Sequence, residues 1–161
     1  MSTGIGLTSY FSPHAMLSVL VPVGWDGEIV DATTFRISGP AHAELNDYRP
    51  TMSWSRQPSP AKGHDWIDAL AASSLAEARR EYPGFALLRE RRVMTSDFAP
   101  LYARWYSWKD PDTRLEFSQI QALLAGDSLW VINAATLTPL AGTYLPVFEV
   151  LLDSTRIIPE T

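Results

Sequence analysis

Cysteine is absent from this 161-residue chain. A disulfide framework, a zinc–thiolate site and a cysteine nucleophile are therefore excluded, because each of them needs a thiol. A chain without disulfides suits a reducing compartment, and we expect a cytoplasmic protein. Cations are also few, since 13 Lys and Arg stand against 18 Asp and Glu and leave a net charge of -5. That balance argues against nucleic acid as a partner, because phosphate binding depends on a basic face.

Long apolar runs are missing as well. No stretch approaches the roughly 18 consecutive apolar residues of a membrane-spanning helix, so we expect no membrane insertion. The apolar segment from Met16 to Val23 does not predict a signal peptide, because no Lys or Arg precedes Arg36. The hydrophobic fraction of 46% is typical of a globular protein. We expect residues 1–161 to form a single domain in which residues 1–15 are loosely ordered.

Alternating apolar residues predict seven strands in two groups. Three runs precede a Pro- and Ser-rich stretch, 57–63, that we expect to be an internal loop: 17–23, 33–38 and 51–57. Four runs follow, separated by turn signals such as Ser96-Asp97: 85–95, 101–108, 114–124 and 128–137. Four strands joined by short turns should form an antiparallel meander.

Two helices complete the pattern. Apolar residues at helical spacing after Asp65, a candidate N-cap, predict a helix over 66–82. A second helix near the C-terminus has two alternative N-caps, Thr138 or Thr143, each followed by a proline in the first turn. Two helices with apolar faces need a sheet to cover. We therefore predict an α+β fold, an antiparallel β-sheet of about six to seven strands with two main helices packed on it, in the order βββ-α-ββββ-α.

Residues that could carry out catalysis are sparse and scattered. The three histidines, His14, His42 and His64, are far apart, and none has a second ligand at metal spacing, so we expect structural or surface roles. Asp110 and Asp112 flank a proline and predict a turn rather than the two carboxylates of a glycosidase cleft. No G-x-S-x-G nucleophile elbow occurs. We predict that the chain is not an enzyme and that it uses no metal or cofactor.

Aromatic residues are abundant, with six each of Trp, Tyr and Phe. Alternation along two predicted strands places aromatic and Arg side chains on shared faces, and these residue types are enriched at interface hot spots. They make up a candidate protein-binding face: Trp54, Arg56, Tyr102, Arg104, Tyr106 and Trp108. The alternative is that the helices cover these residues and they belong to the core. Arg104 favours the binding interpretation, because an Arg is rarely buried unless it is paired.

Four segments, together with the order of the elements, carry a resemblance to a known family. They are an apolar strand that ends in Pro-x-Gly-Trp, a helix start, a central strand and a helix that ends in Ser: Leu17–Trp25, His64–Ile67, Ala103–Tyr106 and Phe148–Ser154. Over about 17–158 the chain resembles the PsbP-like superfamily. That fold is shared by PsbP, a nuclear Ran-binding import factor and bacterial DcrB-type and effector-associated chaperone proteins.

The resemblance implies an α/β/α sandwich and a role in binding another protein. Family members are mostly non-enzymatic binding or assembly factors, and one bacterial branch resembles chaperones that shield apolar segments of secreted effectors. The implied function is a non-catalytic adaptor or chaperone-like module that assists a secretion or assembly system; self-association into homo-oligomers is also compatible with the sequence. One alternative is a small-molecule or lipid carrier with a pocket between sheet and helix, lined by Trp105, Phe117 and Phe148. A hydrolase with residues assembled from distant segments is a third hypothesis.

Overall fold

A computed structural model describes residues 6–13, 15–63, 65–95 and 99–158 of the chain. This part of the chain contains ten strands, two α-helices and two short 3-10 turns. In chain order the strands and helices are β1 Leu7–Ser12, β2 Leu17–Pro22, β3 Asp26–Asp31, β4 Thr34–Ser38, β5 Thr51–Pro58, α1 Trp66–Glu81, β6 Ala86–Met94, β7 Pro100–Lys109, β8 Glu116–Ala125, β9 Ser128–Leu137, α2 Ala141–Ser154 and β10 Arg156–Ile157.

The strands form two sheets in which every pair is antiparallel. The larger sheet has seven strands in the order β3-β4-β5-β9-β8-β7-β6, and the smaller has the order β1-β2-β10. The predicted meander is present as β6 to β9, and its last strand pairs with β5 from the first half of the chain. The predicted α+β class with a seven-stranded antiparallel sheet is therefore confirmed.

The elements pack in three layers. Helix α1 lies on one face of the large sheet against β7 and β8, whereas α2 lies on the other face against β8, β9 and the neighbouring β2. The small sheet and α2 thus share the third layer. The main core lies between this layer and the large sheet, and its largest buried side chains include Trp54, Trp130 and Phe148. A smaller core lies beneath α1, around Ile67, Tyr102 and Leu123.

The two helices differ in how firmly they are held. The buried residues of α2 are Tyr144, Val147, Phe148, Leu151 and Leu152. Those of α1 are one isoleucine and two alanines, Ile67, Ala71 and Ala78. Because a fully buried Leu or Phe side chain stabilises a fold by about 1.5–3 kcal/mol and an alanine by much less, α1 is the more weakly docked helix.

Three strands, β1, β3 and the two-residue β10, were not predicted. β1 lies within residues 1–15, where we expected loose order, but it pairs with β2 over its full length and Tyr10 stacks on Phe35 with ring centroids 4.5 Å apart. β3 is exposed at every position and is held through its pairing with β4. Five strands therefore precede α1 instead of three. The predicted loop 57–63 begins two residues late, because Gln57 and Pro58 still pair with β9.

The start of α2 also differs from both alternatives. A 3-10 turn, Thr138–Leu140, leads into the helix, and Leu140 occupies the N-cap position without a side-chain cap. Thr143 lies inside α2, so neither threonine caps it. Asp65 does precede α1 as predicted, although its carboxylate makes no capping hydrogen bond. The predicted turn Ser96-Asp97 lies outside the described residues.

Candidate protein-binding surface

Four members of the predicted binding face are buried. Tyr102, Arg104 and Tyr106 lie beneath α1, with 2%, 0% and 3% of their surfaces exposed. Trp54 lies on the opposite face of the sheet, in the main core, and is 1% exposed. The helix and the third layer cover these residues, as the alternative interpretation had it. They do not form an open face, and the sequence-based prediction of one is wrong for these four residues.

Arg104 is a buried cation that links the sheet to α1. Its guanidinium donates hydrogen bonds to the Ala71 carbonyl oxygen at 3.3 Å and to the Ser74 hydroxyl, and it lies over the Tyr102 ring. Its Nε is buried without a hydrogen-bond partner. Burial lowers the pKa of Arg104, because the interior disfavours the charged form. Burial, with a hydrogen bond from its own hydroxyl to Glu90, raises the pKa of Tyr102 to about 12.

Trp54 and Arg56 have local structural partners. The Trp54 indole donates to the Thr155 hydroxyl at 3.1 Å, which ties β5 to the end of α2. The partly exposed Arg56 donates through Nε to the Ser128 hydroxyl at 3.0 Å, at the edge between β5 and β9. The register places Trp54 opposite Ile132 and Arg56 opposite Trp130, on the sheet face that the third layer covers. Neither residue therefore shares a face with the β7 members of the predicted binding face.

Six aromatic rings form a continuous series across one end of the large sheet, which we call the aromatic ladder. Successive ring centroids are 5.2, 5.8, 5.0, 4.9 and 6.3 Å apart along the series Phe85, Tyr106, Tyr82, Trp108, Phe117 and Tyr48. Tilted and offset contacts at such distances suit the ring quadrupoles. All but Tyr106 are partly exposed. The ladder therefore combines rigid, preorganised rings with access to solvent.

Beside the ladder, half of the same sheet face is uncovered. Because α1 packs mainly on β7 and β8, the side chains that point the same way from β8, β9, β5 and β4 remain partly or fully exposed. We call this surface the open face, and it consists of Thr34, Arg36, Ser38, Thr51, Ser53, Ser55, Gln119, Gln121, Val131, Asn133 and Ala135. Ser53, Asn133 and Gln121 form one row across three strands. The Trp108 indole donates to Gln119 at 3.2 Å and joins the ladder to this face.

The open face contains hydroxyls and amides, and its charged side chain is Arg36, next to Ser53 in the row that also holds Asn133 and Gln121. Arg36 forms an ion pair with Glu28 on the adjacent strand β3. The hydroxyls and amides of this face can donate and accept hydrogen bonds but take no part in acid–base chemistry. The surface is therefore equipped for binding, and the sequence missed it because its members come from four strands whose pairing is non-local.

The residues considered for catalysis have other roles. The His42 ring nitrogens lie 3.1 Å from Glu44 Oε1 and 2.6 Å from the Tyr144 hydroxyl, so His42 fastens its loop to α2. Asp110 accepts hydrogen bonds from the Asp112 backbone N–H and the Thr113 hydroxyl, and these bonds lower its pKa, as the predicted turn requires. His14 and His64 lie outside the described residues.

Within the described ranges, His, Asp and Glu residues form no group of three or more that could hold a metal ion. Over the same ranges, no helix is both long and apolar enough to cross a membrane.

The pocket expected for a carrier does not form from the expected residues. Trp105 and Phe148 are buried in the main core, whereas Phe117 belongs to the aromatic ladder on the opposite face of the sheet. The three side chains therefore cannot line one cavity between sheet and helix.

The architecture described above defines the chain as an α+β protein with a seven-stranded antiparallel sheet between one helix and a mixed helix–strand layer. No family model and no curated protein sequence matches the chain. Solved structures do match it. The Ran-binding protein Mog1p of Saccharomyces cerevisiae is 11% identical, with a TM-score of 0.66 over 96% of this chain and 97% of that chain.

Two further structures share the same arrangement. PsbP (CyanoP) of Synechocystis sp. PCC 6803 is 16% identical, with a TM-score of 0.61 over 96% of this chain and 95% of that chain. LpqN of Mycobacterium tuberculosis, involved in cell envelope biogenesis, is 17% identical, with a TM-score of 0.62 over 97% of this chain and 92% of that chain. The chain therefore shares its fold with PsbP and Mog1p, which is the fold that the sequence resemblance predicted.

Proposed function

We propose that the chain is a non-catalytic protein-binding module, an adaptor or chaperone-like factor whose partner docks on the open face and the aromatic ladder. The observation that carries the proposal is the uncovered half of the sheet, lined mostly by neutral polar side chains, with the ion-paired Arg36 at its β4 end, beside partly exposed rings. Proteins of the same fold include a Ran-binding protein and one involved in cell envelope biogenesis, and this likeness supports a binding role.

The chemistry of the surface suits an apolar segment with accessible backbone groups. Neutral amides and hydroxyls cost less to desolvate than ions, so they can be buried in an interface if their hydrogen bonds are remade. Gln121 and Asn133 can each donate to and accept from a partner's backbone. The rings of Trp108 and Phe117 offer large, rigid contact area of the kind that dominates interface hot spots.

The cellular setting and assembly state belong to the same proposal. The absence of cysteine supports a cytoplasmic location. A chaperone-like module of this kind would assist a secretion or assembly system by shielding its partner's apolar segment. Association of copies through the same rings is a further part of the proposal, and crosslinking of the chain to itself would reveal it.

Site-specific photo-crosslinking tests the docking surface in the native host. A photoreactive amino acid at Asn133, which is exposed in the middle of the open face, should yield a covalent adduct with one dominant partner. The control position is Val150, which is 47% exposed on α2 in the third layer. Gln121 and Ser53 lie on either side of Asn133 in the same row. Gln121→Arg and Ser53→Arg should each abolish the adduct, because each places an additional, unpaired cation in the interface.

Two results would contradict this proposal. One is an equal yield of the same adduct from position 150, and the other is an adduct at 133 that survives both arginine substitutions in folded protein. Circular dichroism and urea unfolding of each variant establish that the fold is retained.

A second candidate function, binding of a small apolar ligand, is favoured by a cleft of about 340 Å³ between α1 and β6–β7. Ile67, Met94 and Tyr102 line it, and the ion pair of Arg92 with Asp68, at 3.3 Å, lies at its rim. Titration with 1-anilinonaphthalene-8-sulfonate should show saturable fluorescence that Met94→Glu removes. Unchanged fluorescence in that variant would rule out this cleft as the site.

A further inference from the structure

A second cleft, of about 380 Å³, opens between β1 and β3. Its walls include the aromatic rings of Tyr10, Trp25 and Phe35 and the aliphatic side chains of Val21 and Ile29. Phe35 belongs to the main core, so the cleft lies on the face of the large sheet opposite the open face. It is thus independent of the proposed docking surface, and the outcome for one site does not decide the other.

Both strands that border the cleft are edge strands. β1 is the outermost strand of the small sheet, and β3 is the outermost strand of the large one. Within the described residues, the outer side of each strand has no ladder partner. A free strand edge presents a row of backbone donors and acceptors that can pair with another extended chain.

The third layer ends one strand short of the large sheet. Ile29 is directly opposite Phe35 in the register, and neighbouring positions on paired strands point to the same face. Phe35 is covered and 5% exposed, whereas Ile29, one strand farther out, is 56% exposed. Among the described residues, no strand covers the inward side of β3 at Ile29, and a strand that did so would lie next to β1.

We propose that the cleft between β1 and β3 is a strand-acceptor site for an extended segment of another protein. The segment pairs with the free edge of β1 as the next strand of the small sheet. Every second side chain of the segment enters the cleft against Trp25 and Ile29, because successive side chains of a strand point to opposite faces. Main-chain hydrogen bonds supply affinity and the cleft supplies selection for apolar side chains at alternate positions.

Charge narrows the partner further. β3 carries three carboxylates and no cation, Asp26, Glu28 and Asp31, in a chain of net charge -5. Two of these carboxylates form ion pairs, Asp26 with Arg49 and Glu28 with Arg36. The third carboxylate, Asp31, leaves this edge with a net negative charge. The segment that fits best therefore has Lys or Arg flanking its apolar positions.

Amide hydrogen exchange followed by NMR tests this site on the full chain. The probe is a capped peptide of alternating valine and threonine with a lysine at each end, and the control peptide has proline in place of the central threonine. The valine–threonine peptide should slow exchange of outward-facing amides in β1 by about tenfold or more, whereas the proline peptide, which lacks a backbone donor, should not.

A matched pair of variants locates the side-chain contact. Ile29→Asp should weaken peptide binding by about tenfold or more, since it places a carboxylate in the apolar cleft. Val30→Asp is the control, because Val30 is adjacent and 48% exposed but does not line the cleft. Ile29→Lys serves as a second variant. Its lysine should also weaken binding, because it repels the lysines of the peptide, which a carboxylate at this position would not do.

Several outcomes would overturn the proposal. Absence of binding at millimolar peptide, binding without protection of β1 amides, or equal weakening by the changes at 29 and 30 would each do so. Protection of β1 that appears without peptide and grows with protein concentration would show that a second copy of the chain occupies the edge instead.

Discussion

Replacement of Arg104 by methionine should stabilise the protein. The guanidinium is fully buried, its described contacts include no direct carboxylate partner, and its Nε makes no hydrogen bond. Burial of an ion costs several kcal/mol, and an unsatisfied buried donor adds about 1–3 kcal/mol. Against this stand two hydrogen bonds, to Ala71 at 3.3 Å and to Ser74, each worth at most about 1.5–3 kcal/mol, and one cation–π contact of about 1 kcal/mol.

The opposing contributions nearly cancel, so the shape of the replacement decides the sign. Methionine retains most of the aliphatic volume of the arginine stem and needs no hydrogen bonds. Buried ionic groups replaced by apolar residues of similar volume often give neutral or more stable proteins, by up to about 4 kcal/mol. We expect Arg104→Met to raise the free energy of unfolding by about 1–2 kcal/mol. Arg104→Ala should lower it by about 2–4 kcal/mol, because it leaves a cavity beneath α1.

Urea unfolding, followed by far-UV circular dichroism, measures the free energy of unfolding of both variants. Their stabilities can be compared from the urea midpoints as long as the slope m of the transition is unchanged. In a chain of this size, 1 kcal/mol corresponds to a shift in Tm of about 2–4 °C. If Arg104→Met proves as destabilising as Arg104→Ala, the guanidinium itself holds α1 on the sheet, and its hydrogen bonds outweigh the cost of burying its charge. Arg104→Lys, which keeps the charge but loses the planar fork, should be less stable than Arg104→Met.

Two other perturbations give clear expectations. Burial raises the pKa of Tyr48 and Tyr102 from 10.0 to about 12, so their contribution to stability is complete below pH 10 and is lost as the pH rises from 10 to 12. The urea midpoint should fall between pH 10 and pH 12, and an equal fall in Tyr102→Phe would show that Tyr102 is not involved. Thr155→Val removes the acceptor of the buried Trp54 indole and should cost about 1–3 kcal/mol, whereas Thr155→Ser keeps it. Equal stability of the valine and serine variants in urea would contradict that role.

The sequence predicted those elements whose periodicity is strong. β9 was predicted with the observed bounds, 128–137, because alternation fills the whole run and turn residues bracket it. Helix α1 was placed within one residue of its observed end by Pro83, which stops it. β3 escaped prediction because every position is exposed, so its sequence lacks the apolar alternation on which strand prediction depends.

The candidate site was harder to predict than the fold. From the sequence, Arg104 favours an open face because an arginine is rarely buried unless it is paired. In the structure it is buried, since the small residues Ala71 and Ser74 of α1 leave room for its guanidinium and accept its hydrogen bonds. Trp108, a member of the predicted binding face, is partly exposed, but its neighbours in the aromatic ladder come from distant segments. No local pattern could bring Tyr48 next to Phe117.

By itself, the sequence determined the class of fold, most of the strands, both helices and the lack of thiol chemistry, because these follow from residue type and local periodicity. Only the tertiary structure decided which alternating face is covered and which is open. That choice depends on pairings between distant segments, such as β5 with β9. It also depends on how much of the sheet α1 covers, and α1 packs on β7 and β8. Local periodicity indicates that each strand has two different faces, whereas non-local packing determines which of those faces is exposed to solvent.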